Sequence, residues 1–481
     1  MAGIFTSGQD EPHTIFDKRQ KSLIVVLVST AATFSGFASN IYFPAIPTIA
    51  RNLSVSVELV NLTVTSYLIF QGIAPSLWGP VSDVKGRRVA YICTFIVFLG
   101  ACIGLANTKN YVMLLVLRCL QSTGSASTIA IGSGVIGDIT TGADRGGFMG
   151  IFQAGLLVPV AVGPVIGGAL ASALGWRAIF WFLTIYSAAF LVLLIVFLPE
   201  TLRSIVANGS LLPSDPIGRF PLVVFRKSTK VRWNTTPATA PSKHVDITGP
   251  VRILFSKQAS AVMIFLAIYY AVWQMSITAM STLFETQYHL SETQTGLTFI
   301  ANGVGSMIGT LLMGKILNID YNRIRTKFHA GSSEVNNDDF PLERARLRLV
   351  PVLSLLQCIS IVVFGWTIQY RVHIAVPIIA TFITGWTAVS IQSVIMTYLV
   401  DAFPSRSAAA SAALNLARCE FAAGGTSFVM PMVNSIGAGL AFTVCVIVQV
   451  VALLGVFLQW RFGSQWRKES REQKKTQTPA R

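Results

Sequence analysis

The chain has 481 residues, of which 52% are hydrophobic and only 12% charged, with a mean hydropathy of +0.61 and a net charge of +16. A soluble globular domain carries about 25% charged residues, so this chain lacks the polar surface to coat a water-exposed fold. The composition excludes a soluble globular protein and predicts a polytopic helical membrane protein.

Apolar runs of about twenty residues, the length a bilayer helix requires, recur along the chain. Twelve spans are expected, near 23–43, 61–79, 89–108, 111–135, 148–171, 177–198, 259–280, 293–313, 348–368, 374–399, 407–430 and 437–460. They divide the chain into a cytoplasmic N-terminal tail (1–22), an N-terminal six-helix bundle (23–198), a cytoplasmic central loop (199–258), a C-terminal six-helix bundle (259–460) and a cytoplasmic C-terminal tail (461–481). Six spans on either side of a polar link is the layout of a two-bundle transporter. No close residue-by-residue repeat relates the halves. The central loop holds nine Lys or Arg against three acids, together with Pro213, Pro216, Pro221, Pro237 and Pro241, a composition that reads as a solvated linker. The mixed-charge stretch Glu334–Arg348 is expected to form a short amphipathic helix before the ninth span.

The positive charge does not point to nucleic acid. With the N-terminus inside, all but six of the 37 Lys and Arg fall in cytoplasmic segments; Arg51, Lys109, Arg177 and Arg371 are external, and Arg118 and Arg418 lie inside spans. This positive-inside bias places both termini in the cytoplasm, where the basic tail meets anionic headgroups. The six cysteines all fall in spans with no metal-ligand spacing, so they read as packing residues. No signal peptide, metal site, nucleotide loop or catalytic triad is expected, and therefore no cofactor; a gradient must supply the energy. Asn52 opens an Asn-Leu-Ser sequon in the first external loop and is the candidate glycan acceptor.

Several clusters carry chemistry. The first span ends Ser39-Asn40-Ile-Tyr42-Phe-Pro44. Between the second and third spans lies Gly79-Pro-Val-Ser-Asp83-Val-Lys-Gly86-Arg87-Arg88. Its glycines permit tight turns and close helix approach. Asp83, an acid at a membrane boundary, needs a partner: Arg87 four residues on, or the positive end of the helix that starts near Ser407. Span four contains Arg118-Cys-Leu-Gln121-Ser-Thr-Gly124. An arginine within a span costs about 2.5–3.5 kcal/mol on insertion scales and persists mostly where it faces a bundle interior or a pathway. Span five carries Gly155, Pro159, Gly163, Pro164, Gly167 and Gly168 on one stripe, a pattern that admits a close neighbouring helix. Span eleven holds Asn415, Arg418 and Glu420. Arg418 and Glu420 are two residues apart and point to different faces. Glu420 is the one acid placed at mid-membrane depth. Burial disfavours the charged form of a carboxyl, which suits proton binding. Polar or aromatic groups at mid-depth form the candidate substrate cavity: Asn40, Tyr67, Gln71, Trp273, Gln274, Asn302, Trp386, Gln392 and Asn415.

The Gly-x-x-x-Asp-x-x-Gly-Arg-Arg layout of 79–88 resembles the loop between spans two and three of the major facilitator superfamily of secondary transporters. The Arg118-x-x-Gln121-x-x-Gly124 spacing is similar to that superfamily's span-four motif, whose arginine is associated with proton coupling. The glycine and proline stripe of span five resembles the antiporter motif of its exporters. With Trp176-Arg177 and Leu198-Pro199-Glu200-Thr201, the resemblance narrows to the fungal twelve-span drug:proton antiporters, of the quinidine-resistance type and filamentous-fungal relatives that include citrate exporters. It is dense over about 35–210 and thinner beyond. It implies an all-α major facilitator fold, a gating role for Gly79, Asp83, Gly86, Arg87 and Arg88, and a coupling role for Arg118. Gly314-Lys-Ile-Leu-Asn318-Ile-Asp320 is a degraded echo of the first loop, with asparagine in the acid's place, so a second-half tie needs different geometry.

The expected function is proton-coupled export of a drug, toxin or secondary metabolite across the plasma membrane by a monomer, with Glu420 as coupling acid and Arg418 nearby. The alternatives are an organic-acid exporter, which would use Arg118 and Arg418 as its cations, a nutrient importer, and a transporter-like sensor without turnover. The partners are a small molecule, protons and the bilayer.

Overall fold

The structure is a computed structural model that describes residues 14–140, 145–209, 211, 249–330, 342–403 and 407–477. Among the described residues it is helical throughout, with no strand. The helices are α1 (Lys18–Asn40), α2 (Ile46–Leu53), α3 (Val57–Lys85), α4 (Arg87–Ala106), α5 (Tyr111–Ile139), α6 (Arg145–Leu174), α7 (Arg177–Phe197), α8 (Arg203–Val206), α9 (Gly249–Leu254), α10 (Ser260–Tyr288), α11 (Glu292–Ala330), α12 (Leu342–Leu347), α13 (Val350–Gln369), α14 (Ala375–Ala402), α15 (Ser407–Ile436) and α16 (Ala438–Gln477).

Each expected span maps onto one long helix. Among the described residues, eleven segments are long and apolar enough to cross a membrane. The twelfth, α15, is 30 residues long and carries Asn415, Arg418 and Glu420, the polar load that lowers its hydropathy. Several helices run beyond the expected spans, among them α3 to Lys85, α10 to Tyr288, α11 to Ala330 and α16 to Gln477. The second-to-third-span link therefore shrinks from a ten-residue loop to one residue, Gly86. Residues 212–248 of the central loop and 331–341 lie outside the described residues, while α12 falls within the stretch expected to form a short helix.

The chain forms two compact units, one of residues 1–42 and 73–247 and the other of 43–72 and 248–481. Helix α3 contributes its residues up to Gly72 to the second and those from Ile73 to the first. In the first unit, Phe34 of α1 is buried within a ring cluster of Phe95, Phe98, Tyr186 and Phe190, with centroids 4.3–5.8 Å away. Outward-facing residues are large and apolar, such as Ile185 and Val192 of α7, as expected where lipid is the solvent. The second unit has its own core of Leu266, Tyr269, Leu347, Ile391, Tyr398 and Leu414.

The small-residue stripe of α6 packs on α1 within the first unit. A Cβ at Gly36 would lie 2.8 Å from Pro159 Cβ, one at Gly155 3.3 Å from Ser29 Cβ, and one at Gly163 3.4 Å from Asn40 Cβ. A Cβ at Gly167 would collide with the carbonyl oxygen of Ile41. Pro164 and Gly168 are buried on the same helix. Close helix approach thus comes from small residues, with dispersion and backbone contact as its source.

Candidate functional site

In the first unit, Gly86 has φ +107°, a conformation that side-chain-bearing residues rarely adopt. A Cβ there would strike the Glu200 carboxylate. That carboxylate accepts from four backbone amides: Arg87 N at 2.9 Å, Arg88 N at 3.2 Å, and Thr201 N and Leu202 N at 2.9 Å. It caps the start of α4, where amides have no intrahelical partner and the helix dipole favours negative charge. Arg88 answers at the end of α7, donating to the carbonyls of Ile195, at 2.7 Å, and Leu198. The two residues exchange caps between α4 and α7.

Arg87 holds three groups. It donates to Asp138 Oδ2 at 3.1 Å and to Ser82 Oγ at 2.7 Å, and pairs with Asp83 Oδ1 at 2.6 Å. Of the two partners expected for Asp83, Arg87 is the one observed; residues 404–406, before Ser407, lie outside the described residues. The expected close approach at Gly79 is corrected. Gly79 sits inside α3, and nothing among the described residues lies within 4 Å of where its Cβ would be. Arg118 is buried, donating to Ala38 O at 2.9 Å and Gln121 Oε1 at 2.6 Å, with its guanidinium 4.4 Å from the Tyr42 ring. Gln121 in turn reaches Cys102 Sγ at 3.3 Å. Asn40 spends its amide on Gly36 O at 2.8 Å, a bond within its own helix.

The second unit gathers most of the candidate cavity residues. Arg418 donates to Asn415 Oδ1 at 2.9 Å and Gln392 Oε1 at 3.2 Å and lies 4.8 Å from the Tyr270 ring. Asn415 donates to Gln71 O at 3.2 Å. Trp273 Nε1 donates to Asn302 Oδ1 at 3.1 Å. Tyr67 and Gln274 are buried. At Trp386, α11 and α14 pack closely, the Cβ positions of Gly305 and Gly309 meeting its backbone. Glu420 faces away from Arg418, as the two-residue spacing requires. A Cβ at Gly72 would lie 3.0 Å from Glu420 Oε1, and that oxygen is buried with no hydrogen-bond partner among the described residues.

Helices α3 and α15 also meet along a polar seam in this unit. Asn434 Nδ2 donates to Glu58 Oε1 at 2.8 Å, and the hydroxyls of Thr65 and Thr426 lie 3.1 Å apart. Arg51 pairs with Glu285, and Thr48 donates to Glu292. Asn52 is exposed in the last turns of α2, its amide donating to Thr48 O at 3.0 Å.

Sequence reasoning missed the charge pairs at the other end of this unit. Arg346 donates to Asp401 Oδ2 at 2.8 Å, and Arg467 to buried Glu343 at 2.8 Å. It also passed over Asp138 and the role of Glu200. The available signal was positional: each of these acids or arginines sits within a few residues of a span end.

A sequence model described as Major Facilitator Superfamily matches residues 28–426. The chain belongs to the major facilitator superfamily. It is a multi-pass membrane transporter and not an enzyme. Citrate exporter 1 of Aspergillus niger is 37% identical over 474 residues, covering 96% of this chain and 89% of that protein. MFS antiporter QDR2 of Candida albicans is 35% identical over 440 residues, covering 91% of this chain and 87% of that protein. The xylose transporter XylE from E. coli, in a partially occluded inward open conformation, matches with a TM-score of 0.62 at 16% identity, covering 92% of this chain and 98% of that one. At that identity the likeness speaks for the fold alone.

Proposed function

We propose that this transporter exports a small organic molecule in exchange for protons, by alternating access across the plasma membrane, as a monomer with both termini cytoplasmic. Residues 23–198 and 259–460 are its two bundles. The substrate is a drug, toxin or secondary metabolite, a class supported by the antiporter among its relatives and by the glycine and proline stripe of α6.

The observation that carries the reading is Glu420. It is an acid within a membrane helix, with one oxygen buried and unpartnered among the described residues and no arginine on its own face. A carboxyl in that setting is stable when protonated and exchanges its proton when the cavity opens to water. Each proton moving inward down 100 mV contributes about 2.3 kcal/mol, and each pH unit about 1.4 kcal/mol. Arg418, held by Asn415, Gln392 and Tyr270, is the fixed charge beside the site, and Arg118 tunes coupling from α5. Gly79, Asp83, Gly86, Arg87 and Arg88 form the gate whose pairs rearrange on inward opening. Asn52 is the glycan acceptor.

A second reading, organic-acid export, is favoured by the 37% identity to citrate exporter 1. In that case a buried arginine, Arg118 in the first unit or Arg418 in the second, would hold the carboxylate. Efflux from cells with and without the gene separates the two, against hydrophobic cations, neutral metabolites and di- or tricarboxylates at acidic and neutral external pH. Faster efflux of cations or neutral compounds in acid supports the antiporter. Efflux of carboxylates alone overturns it in favour of the second reading.

A further inference from the structure

The second unit contains a cavity of about 760 Å3 between the end of α11, the α12–α13 turn and α16. Its walls include Arg344, Arg348 and Arg461 together with Phe457, Trp460 and Phe462. We propose that this cavity binds the phosphorylated headgroup of an anionic phospholipid of the inner leaflet. The inner-leaflet assignment rests on the orientation proposed above.

Three observations point to such a ligand. First, two acids nearby are already engaged, Glu343 by Arg467 and Asp401 by Arg346, and Glu469 accepts from the wall residue Gln465 at 3.2 Å. Arg344, Arg348 and Arg461 have no carboxylate partner among the described residues. Three guanidinium groups around one concavity call for a multivalent anion, and the planar guanidinium fork matches phosphate oxygens two at a time. Second, Trp460 lines the cavity, and its indole Nε1 is buried without a hydrogen-bond partner among the described residues. An indole N–H has only an acceptor to seek, and phosphate and glycerol-ester oxygens are acceptors. Third, the cavity continues into an apolar face. Along α16, Val451, Leu454 and Leu458 are 60%, 59% and 49% exposed, and Phe457 at the cavity wall is 44% exposed. Residues at that spacing share one side of the helix, so an acyl chain can lie along it with its headgroup among the arginines. A soluble phosphate would have no use for that face. Basic pockets between membrane helices on the cytoplasmic side bind acidic headgroups in this way.

The test uses the full-length protein in nanodiscs of phosphatidylcholine, with and without a phosphatidylinositol phosphate, and native mass spectrometry to count retained lipids. One tightly held anionic lipid is expected. Arg344→Gln, Arg348→Gln and Arg461→Gln should each weaken its retention about fivefold, and the Arg344→Gln/Arg348→Gln pair about 25-fold. Trp460→Phe, which keeps the ring and loses the N–H, should weaken it by a smaller factor. Arg371→Gln, in the α13–α14 turn, should leave it unchanged. Equal retention by all variants, or equal retention of phosphatidylcholine, overturns the site. Displacement of the lipid by an equal concentration of a soluble inositol phosphate overturns the lipid as its source. Cysteine placed at exposed Ser464 separates site from orientation. Labelling by an impermeant maleimide only after permeabilisation is expected. Labelling on intact cells would overturn the inner-leaflet assignment and the topology together, whatever the arginine variants do.

Discussion

Arg346 donates to Asp401 across 2.8 Å, just as Arg87 donates to Asp138 across 3.1 Å. Each aspartate is the next-to-last residue of its helix, α14 or α5. Each arginine stands at or just before the start of the preceding membrane helix, α13 or α4. An acid at a helix C-terminus opposes the dipole, where the carbonyls already carry partial negative charge. In both units the arginine neutralises that conflict and ties two neighbouring helices at their ends.

Arg346→Gln and Asp401→Asn should each lower stability by about 1–2 kcal/mol, the range for a partly exposed charge-assisted bond. The double variant should lose less than the two singles together, because they remove one shared interaction. Thermal unfolding in detergent reads all three, and strict additivity would show that the pair is not coupled.

The glycines of the first unit should separate by what a methyl group would meet. Gly167→Ala forces a collision with a backbone carbonyl of α1, which cannot swing away, and should destabilise by about 1–3 kcal/mol. Gly163→Ala meets only ordinary contact at 3.4 Å and should be mild. Gly79→Ala fills empty space inside a helix and should stabilise by about 0.5–1 kcal/mol. A large loss at Gly79 would restore the close-approach role that the sequence alone suggests.

The helices and their order were legible because the bilayer imposes length and apolarity on every span, and the basic residues between them are concentrated on one side. Arg118, Arg418 and Glu420 were legible for the same reason, since a charge in an apolar run stands out. What the sequence hid was partnership. Nothing local tells that Glu200 reaches back 113 residues to Arg87 N, or that Asn40 is committed to its own helix. The 79–88 motif suggests a loop because charge ends an apolar membrane span and glycine weakens a helix. Here Asp83 and Lys85 continue α3, and only Gly86 turns the chain. The pairing Arg346–Asp401 escaped because it keeps the geometry of Arg87–Asp138 while losing the surrounding motif.

Glu200 supplies a prediction on the cap itself. Glu200→Ala removes the acceptor of four amides at once and should cost about 2–4 kcal/mol, beyond a single N-cap loss. Glu200→Gln keeps one carbonyl oxygen but gives up the charge and should cost about half as much. Unfolding midpoints in detergent check the order. If Gln matched Ala, charge rather than hydrogen bonding would be the main source of the cap.

The most direct test of coupling pairs Glu420 with Gly72. Glu420→Gln keeps size and hydrogen-bonding capacity and removes the proton site, so substrate movement in proteoliposomes should continue down its own gradient but stop responding to an imposed pH difference. Gly72→Ala leaves the carboxyl in place while its Cβ would sit 3.0 Å from Glu420 Oε1, so the side chain must shift by a few tenths of an ångström. Off-rotamer strain of about 0.5–1.5 kcal/mol should slow proton-driven transport roughly two- to tenfold without uncoupling it. The contrast decides the role. A purely structural Glu420 would be disturbed by both changes alike, through folding or expression. A coupling Glu420 loses its response to pH only when the carboxyl itself is gone, and if Glu420→Gln still answers to pH, the acid that binds the exchanged proton lies elsewhere in the chain.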